Sequence, residues 1–194
     1  MTSSKLAHRI ELSLYASLIF IAVQLLRIPV GAQFVHLGNA LVVVAVLLYG
    51  SKEAALVASL GLGIFDILNG YAPVAWITIL ESMIICLVLH LIYEKGMQSS
   101  QRPIAIIAVG VIAGLAKLLL NIIKYSLLHY AVGQLSFPAA FFVALGKVGG
   151  SFGTTLVTIV AVPILYPILQ GLRAKWRQKN QIMILSKNKK EIIF

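Results

Sequence analysis

Charge is scarce in this sequence. Only 11% of its 194 residues are Asp, Glu, Lys or Arg, and the acids number six. A soluble domain carries about 25% charged residues. With 60% apolar residues and a mean hydropathy of +0.96, the chain has more apolar surface than it can hide. A small domain buries only about two-thirds of the surface its unfolded chain exposes. The excess must face lipid, so the composition implies an integral membrane protein. It also excludes disorder and a coiled coil. The single cysteine, Cys86, excludes an internal disulfide scaffold and sits in an apolar run as a packing residue.

Catalytic motifs are missing as well. The sequence has no Walker lysine loop, no HExxH, no GxSxG and no paired intramembrane Asp. ATP hydrolysis in this chain, zinc-dependent proteolysis and serine-hydrolase chemistry therefore have no motif to rest on. Gly61-Leu62-Gly63 is too short for a dinucleotide fingerprint, and no cofactor is expected in this chain. His36 and His129 lack a second His or Cys at ligand spacing, so they read as hydrogen-bonding groups and no metal site is expected. No inverted repeat is visible, which weakens a self-sufficient transporter.

What the sequence does have is apolar runs of spanning length, which is about 17–25 residues. Six segments approach it: Ile10 to Ile28, Leu37 to Gly50, Ala54 to Leu68, Val74 to Tyr93, Ile104 to Ala131 and Ala139 to Leu172. The reading is an all-α membrane protein, a bundle of six transmembrane helices. Residues 1–9 form a cytoplasmic N-terminus, 10–172 the membrane domain and 173–194 a basic cytoplasmic tail. The first run exceeds a signal-peptide core and reads as a retained span. The second and third are short, separated only by Ser51-Lys52-Glu53, and predict a tight helical hairpin. Helices this short need shielding by protein or a thinned bilayer.

The basic residues orient the bundle. Lys5, Arg9, Lys52, Lys95 and Arg102 fall on the N-terminal side, as do Arg173, Lys175, Arg177, Lys179, Lys187, Lys189 and Lys190 in the tail. These are twelve of the sixteen bases, and the positive-inside rule puts both termini in the cytoplasm. The net charge of +10 is thus a topology signal, not a nucleic-acid footprint.

Small residues recur at packing intervals: Gly110 with Gly114, Gly146 with Gly150, Gly149 with Gly153, and Ala54 with Ala58. Such pairs let helix backbones approach closely in lipid. Ser13, Ala16 and Ser17 form a small-residue face near the cytoplasmic end of the first span, where a partner could dock.

The few polar residues inside spans are the informative ones, because each costs several kcal/mol in lipid. The outward halves gather Gln24, Arg27, His36, Asn39, Asp66, Asn69, Trp76, Glu81 and Lys147. The fifth span adds Lys117, Asn121 and Lys124, spaced i, i+4, i+7 and so on one helical face. That face must look into the bundle. Counting Arg27, Lys117, Lys124 and Lys147 against Asp66 and Glu81 gives +2, which points to an anion or a hydroxyl-rich ring. Convergent polar groups with aromatic neighbours such as Trp76, Tyr71, Tyr125 and Tyr130 describe a small-molecule pocket. If the charges merely pair to lock helices, the same residues are structural.

The order Leu14-Tyr15-Ala16-Ser17-Leu18-Ile19-Phe20, Arg27-Ile28-Pro29 and Phe34-Val35-His36-Leu37-Gly38-Asn39-Ala40 resembles the S components of energy-coupling factor (ECF) transporters. Leu47-Leu48-Tyr49-Gly50-Ser51-Lys52-Glu53-Ala54-Ala55 and the run from Gly61 to Gly70 continue the likeness, over about residues 10 to 172. The resemblance implies a six-helix vitamin-binding subunit of an ATP-driven importer in a prokaryotic plasma membrane. Its partners would be a transmembrane coupling subunit and two ATP-binding cassette ATPases. Ligand would sit near the extracellular side under a non-helical lid, here Pro29 to Val35 with Gly31 and Ala32. The family's AxxxA docking face has its nearest equivalent in Ser13, Ala16 and Ser17, a departure from the pattern. Among subgroups, the hydroxymethylpyrimidine/pyridoxine type looks nearest, with riboflavin-type members sharing much of the early pattern.

On this reading His36, Asn39, Asp66, Asn69, Trp76, Glu81, Asn121, Lys124, Tyr125 and Lys147 bind the substrate. Trp76 or Tyr125 would supply a stacking face. Three alternatives stay open: a solo transporter, a membrane enzyme using Asp66, Glu81 and His129 for acid/base work, and a scaffold whose buried charges only pair.

Overall fold

A computed structural model describes the backbone of residues 3–31 and 33–193 and the side chains of residues 5–31 and 33–182. Ala32 of the expected lid, the side chains of Lys187, Lys189 and Lys190, and Phe194 lie outside the described residues. The described chain opens with α1 (Ser3–Leu26), then a hairpin of β1 (Ile28–Val30) and β2 (Gln33–Val35). Helices α2 (Gly38–Tyr49) and α3 (Ser51–Leu68) follow, then a 3-10 turn at Ala72–Val74 that leads into α4 (Ala75–Leu89). A π-helical stretch, His90–Gly96, prolongs α4, and α5 (Pro103–Ala131), α6 (Phe137–Lys147) and α7 (Gly149–Ile193) complete the chain. Four stretches are long and apolar enough to cross a membrane: Lys5–Leu26, Ala72–Gly96, Pro103–Ala131 and Gly149–Ile182. With the shorter apolar α2 and α6, this is an all-α, multi-pass membrane protein carrying one small β-hairpin.

α2 lies at the centre. Its residues from Ala40 to Leu48 are all buried, because a helix that is apolar all round has no face to offer water. Twelve residues at a rise of about 1.5 Å each span only about 18 Å, well short of a bilayer core. Enclosure by its neighbours resolves that mismatch.

Two of the closest helix approaches rest on glycines. At Gly61 of α3 an added Cβ would lie 2.7 Å from the Ala16 carbonyl oxygen and 2.9 Å from Ile19 Cβ, so α1 and α3 touch backbone to backbone. Gly61→Val should push them apart and lower stability by about 1–3 kcal/mol, the usual cost of overpacking. Thermal unfolding of the detergent-solubilised protein measures it. Gly110 and Gly114 seat α5 on Val162 and Thr155 of α7, and Thr155 Oγ1 donates to the Gly114 carbonyl at 3.0 Å.

The structure departs from the sequence reading in four places. Gly50 alone joins α2 to α3, at φ +89°, and the helix already includes Ser51, Lys52 and Glu53. The start of α3 is capped from a distance. Glu94 accepts from Ser51 N at 2.5 Å and from Ser51 Oγ at 3.0 Å, placing a carboxylate where the helix dipole favours one. Second, the expected lid is an antiparallel hairpin, pairing Ile28 with Val35 and Val30 with Gln33, with Gly31 at φ +59° in its turn.

Third, the expected sixth span is two helices, broken at Val148. The hairpin is the reason. It lies against the start of α7, where a Cβ on Gly150 would meet Gln33 Cβ at 2.6 Å and one on Gly153 would meet Val35 Cγ2 at 2.5 Å. Fourth, α7 continues through Ile193 with no break at Leu172.

Both chain ends meet at the same end of the bundle. Glu11 of α1 pairs with Arg173 at 2.6 Å and Arg177 at 3.3 Å, and His8 Nε2 lies 2.8 Å from Glu53. Arg173 also covers the Tyr49 ring at 4.3 Å and donates to the Leu48 carbonyl. The hairpin occupies the opposite end.

Candidate binding cavity

Beneath the hairpin lies a cavity of about 210 Å³. Its walls come from β2, α2, α3, α4, α5 and the start of α7. Of the ten residues expected to bind substrate, His36, Asn39, Asp66, Glu81, Asn121, Lys124 and Tyr125 line it. The face expected on the fifth span is present, since Lys117, Asn121 and Lys124 of α5 all point into this space.

Three residues stand elsewhere. Asn69 ends α3, its Nδ2 donating to Gln24 Oε1 and to the Phe65 carbonyl, both at 2.8 Å. Trp76 is 63% exposed and donates to the Pro73 carbonyl at 3.1 Å. Its place at the membrane-facing surface suits an amphipathic ring better than a pocket wall. Lys147 is exposed at the end of α6, before the break at Val148, and does not line the cavity.

The sequence reading passed over Gln33, Phe34, Thr78, Ser151 and Thr154, which also line the cavity. Gln33 and Phe34 fall within the expected lid, Pro29 to Val35, but were not named as binding residues, and the neutral polar Thr78, Ser151 and Thr154 cost too little in a span to stand out. Lys117 had a signal, its i, i+4, i+7 register, but was not placed among the binding residues.

The electrostatics are organised around one carboxylate. Lys117 Nζ donates to Glu81 Oε2, and Lys124 Nζ lies 2.7 Å from Glu81 Oε1. The second contact is off the hydrogen-bonding direction, so Lys124 keeps donor capacity for something else. Neither lysine pairs with Asp66. That residue is 7% exposed, and its Oδ2 is buried without a hydrogen-bond partner. A buried, unpaired carboxylate oxygen costs at least 1–3 kcal/mol unless a donor arrives. The lining thus carries two carboxylates and two ammonium groups, a formal sum of zero. This replaces the +2 counted from sequence, because Lys147 and Arg27 do not line the cavity.

His36, in the loop before α2, accepts from Gly38 N at Nδ1, 3.1 Å away. Its Nε2 therefore carries the proton in the neutral ring. Burial, then the nearby Lys117 charge, hold its pKa down to about 4, so the ring is a neutral donor at pH 7. Aromatic walls come from Phe34, Phe65, Tyr71 and Tyr125. Phe65 and Tyr71 stack at 6.5 Å, and Arg27 sits between Phe34 and Phe65, 5.2 Å and 5.0 Å from their centroids. That cation sandwich ties the hairpin to α3. The hairpin's other edge is held by Thr154 Oγ1, which donates to the Phe34 carbonyl at 3.0 Å.

The small-residue face of α1 divides. Ser13 and Ser17 are exposed, Ser17 Oγ donating back to the Ser13 carbonyl at 3.0 Å. Ala16 is buried against Gly61 of α3 and does not share their surface. Position 16 stands about 60° round the helix from 13 and about 100° from 17, on the flank that turns towards α3.

An apolar-walled chamber with convergent polar groups in a bundle without catalytic motifs is built for binding. A family model described as ECF-type riboflavin transporter, S component, matches residues 6–171. No curated relative and no solved structure matches the chain. The match covers most of the sequence, and the chain belongs to this family of ECF transporter S components: a transport protein rather than an enzyme, the substrate-binding subunit of a vitamin transporter.

Proposed function

We propose that this S component binds a small, single-ring heteroaromatic vitamin, of the hydroxymethylpyrimidine or pyridoxine kind, in the cavity beneath the hairpin. Asp66 carries the proposal. Its buried, partnerless oxygen demands a ligand donor, such as an exocyclic amine, a hydroxyl or a protonated ring nitrogen. Lys124, Asn121, Asn39 and His36 supply donors to the ligand's acceptors, and Tyr125, Phe65 and Tyr71 supply stacking faces. Size favours one ring. A volume near 210 Å³ lies below the roughly 300–1,000 Å³ of pockets that take drug-sized ligands.

Six crossings, with the 12-residue α2 shielded and α6 with α7 acting as one, put both termini in the cytoplasm and the cavity at the outer face. The meeting of Glu11 with Arg173 and Arg177 at one end supports an even number of crossings. The basic residues at that end support its cytoplasmic side in a prokaryotic plasma membrane. Substrate binds from outside under the hairpin. Docking on a transmembrane coupling subunit driven by two ATPases then reorients the bundle and opens the site inward. Of the small-residue face of α1, the exposed Ser13 and Ser17 take part in that contact.

The family's description names riboflavin, and that is the second reading. Calorimetric titration of the purified chain with hydroxymethylpyrimidine, pyridoxine and riboflavin separates the two. Saturable binding of a single-ring compound is the expected result. Binding of riboflavin alone would overturn the single-ring assignment and leave the family membership intact.

A further inference from the structure

The first turn of α7 opens onto the cavity, and it is already filled. Gly149, Gly150 and Ser151 begin a long helix whose leading N–H groups lack intrahelical partners and carry partial positive charge. Such a terminus takes phosphate readily. Here the Gln33 side chain reaches across from β2 and lies in it, Oε1 accepting from Ser151 N and from Ser151 Oγ, both at 2.7 Å. Gly150 leaves the room, since any Cβ there would stand 2.6 Å from Gln33 Cβ. Gln33 and the buried Ser151 both line the cavity.

The rest of the lining offers an anion little. The charges of Lys117 and Lys124 are offset by Glu81, which lies against both, and by Asp66, which presents a partnerless, buried carboxylate oxygen that calls for a donor. A dianionic group entering this space meets a neutral amide where the helix start would have held it, and a carboxylate on the neighbouring wall.

We propose that Gln33 is a specificity-determining residue that restricts the cavity to ligands without a phosphate group, by occupying the anion-binding start of α7. The ligand class is then the free alcohol form of a heteroaromatic vitamin, and its phosphomonoester is rejected. The proposal rests on the reading of this cavity as the substrate site. Because Gln33 belongs to the hairpin, the discrimination is in force whenever the hairpin is seated on α7.

The test uses the full chain in detergent as parent, Gln33→Ala and Gln33→Glu. Two measurements are made: thermal unfolding with and without millimolar inorganic phosphate, and calorimetry with pyridoxine and pyridoxine 5′-phosphate. Phosphate should stabilise Gln33→Ala and leave the parent and Gln33→Glu unmoved. The alcohol-over-ester preference of the parent should fall by about tenfold or more in Gln33→Ala, a shift calorimetry resolves easily. Phosphate stabilisation of the parent, or none in a folded Gln33→Ala, would overturn the proposal. Should Gln33→Ala not fold, the parent decides, since equal binding of alcohol and ester by it would also overturn the proposal. Failure of every vitamin to bind the parent would refute the substrate-site reading instead, and the phosphate arm would still judge Gln33.

Discussion

Glu81→Ala should unfold more easily than the parent by about 3–5 kcal/mol, the cost of leaving buried charges without their partner. Both oxygens of Glu81 face lysines, so its loss strands two ammonium groups in the bundle. Vitamin binding should vanish with it. The companion is the triple variant Glu81→Met, Lys117→Met, Lys124→Met, which removes the whole cluster at nearly constant volume. Replacing a buried ion cluster by apolar side chains is often neutral or stabilising. The triple variant should therefore unfold near the parent's midpoint while binding no vitamin. Thermal unfolding and calorimetry on the same preparations read both outcomes. Full vitamin affinity in the triple variant would mean that the charges only lock helices together.

Asp66→Ala should show the opposite pairing of effects. Its Oδ2 has no partner in the ligand-free protein, so removing the carboxylate relieves a desolvation cost, and the unliganded protein should be at least as stable as the parent. A hydrogen bond to a charged group contributes about 1.5–3 kcal/mol, so affinity should fall by roughly 10- to 100-fold at 1.4 kcal/mol per decade. Stability kept or gained while affinity is lost is the pattern of a group held for function. A loss of stability with affinity unchanged would make Asp66 a structural residue.

The contrast between Glu81 and Asp66 could not be read from the sequence. Both were visible as expensive carboxylates in apolar runs, and Lys117, Asn121 and Lys124 declared their shared face by spacing alone. Which carboxylate took the lysines depends on how α3, α4 and α5 meet, through contacts such as Gly63 of α3 against Ile79 of α4.

The buried α2 was legible because a short helix with no polar face has to be enclosed. The break at Val148 was not. Hydropathy runs on from Ala139 to Leu172, and the glycines that matter there, Gly150 and Gly153, answer to Gln33 and Val35 more than a hundred positions earlier. Trp76, which does not line the cavity, was open to two readings for a related reason. An aromatic ring near a membrane face suits a pocket wall and a lipid-facing surface equally well until its neighbours are known.

That the chain spans a membrane was the easiest feature, since apolar runs of spanning length need no tertiary information to recognise. Substrate chemistry was the hardest. With Lys147 and Arg27 outside the cavity lining, the charge count falls from +2 to zero, and of the two ligands that count pointed to, an anion or a hydroxyl-rich ring, it favours the ring.

The most direct measurement is mass spectrometry of the small molecules that co-purify with the parent chain and with Asp66→Ala from the same cells. The expected result is a single-ring, non-phosphorylated vitamin carried at near-stoichiometric level by the parent and depleted in Asp66→Ala. A flavin in the parent, or equal carriage of the same compound by both proteins, would contradict it.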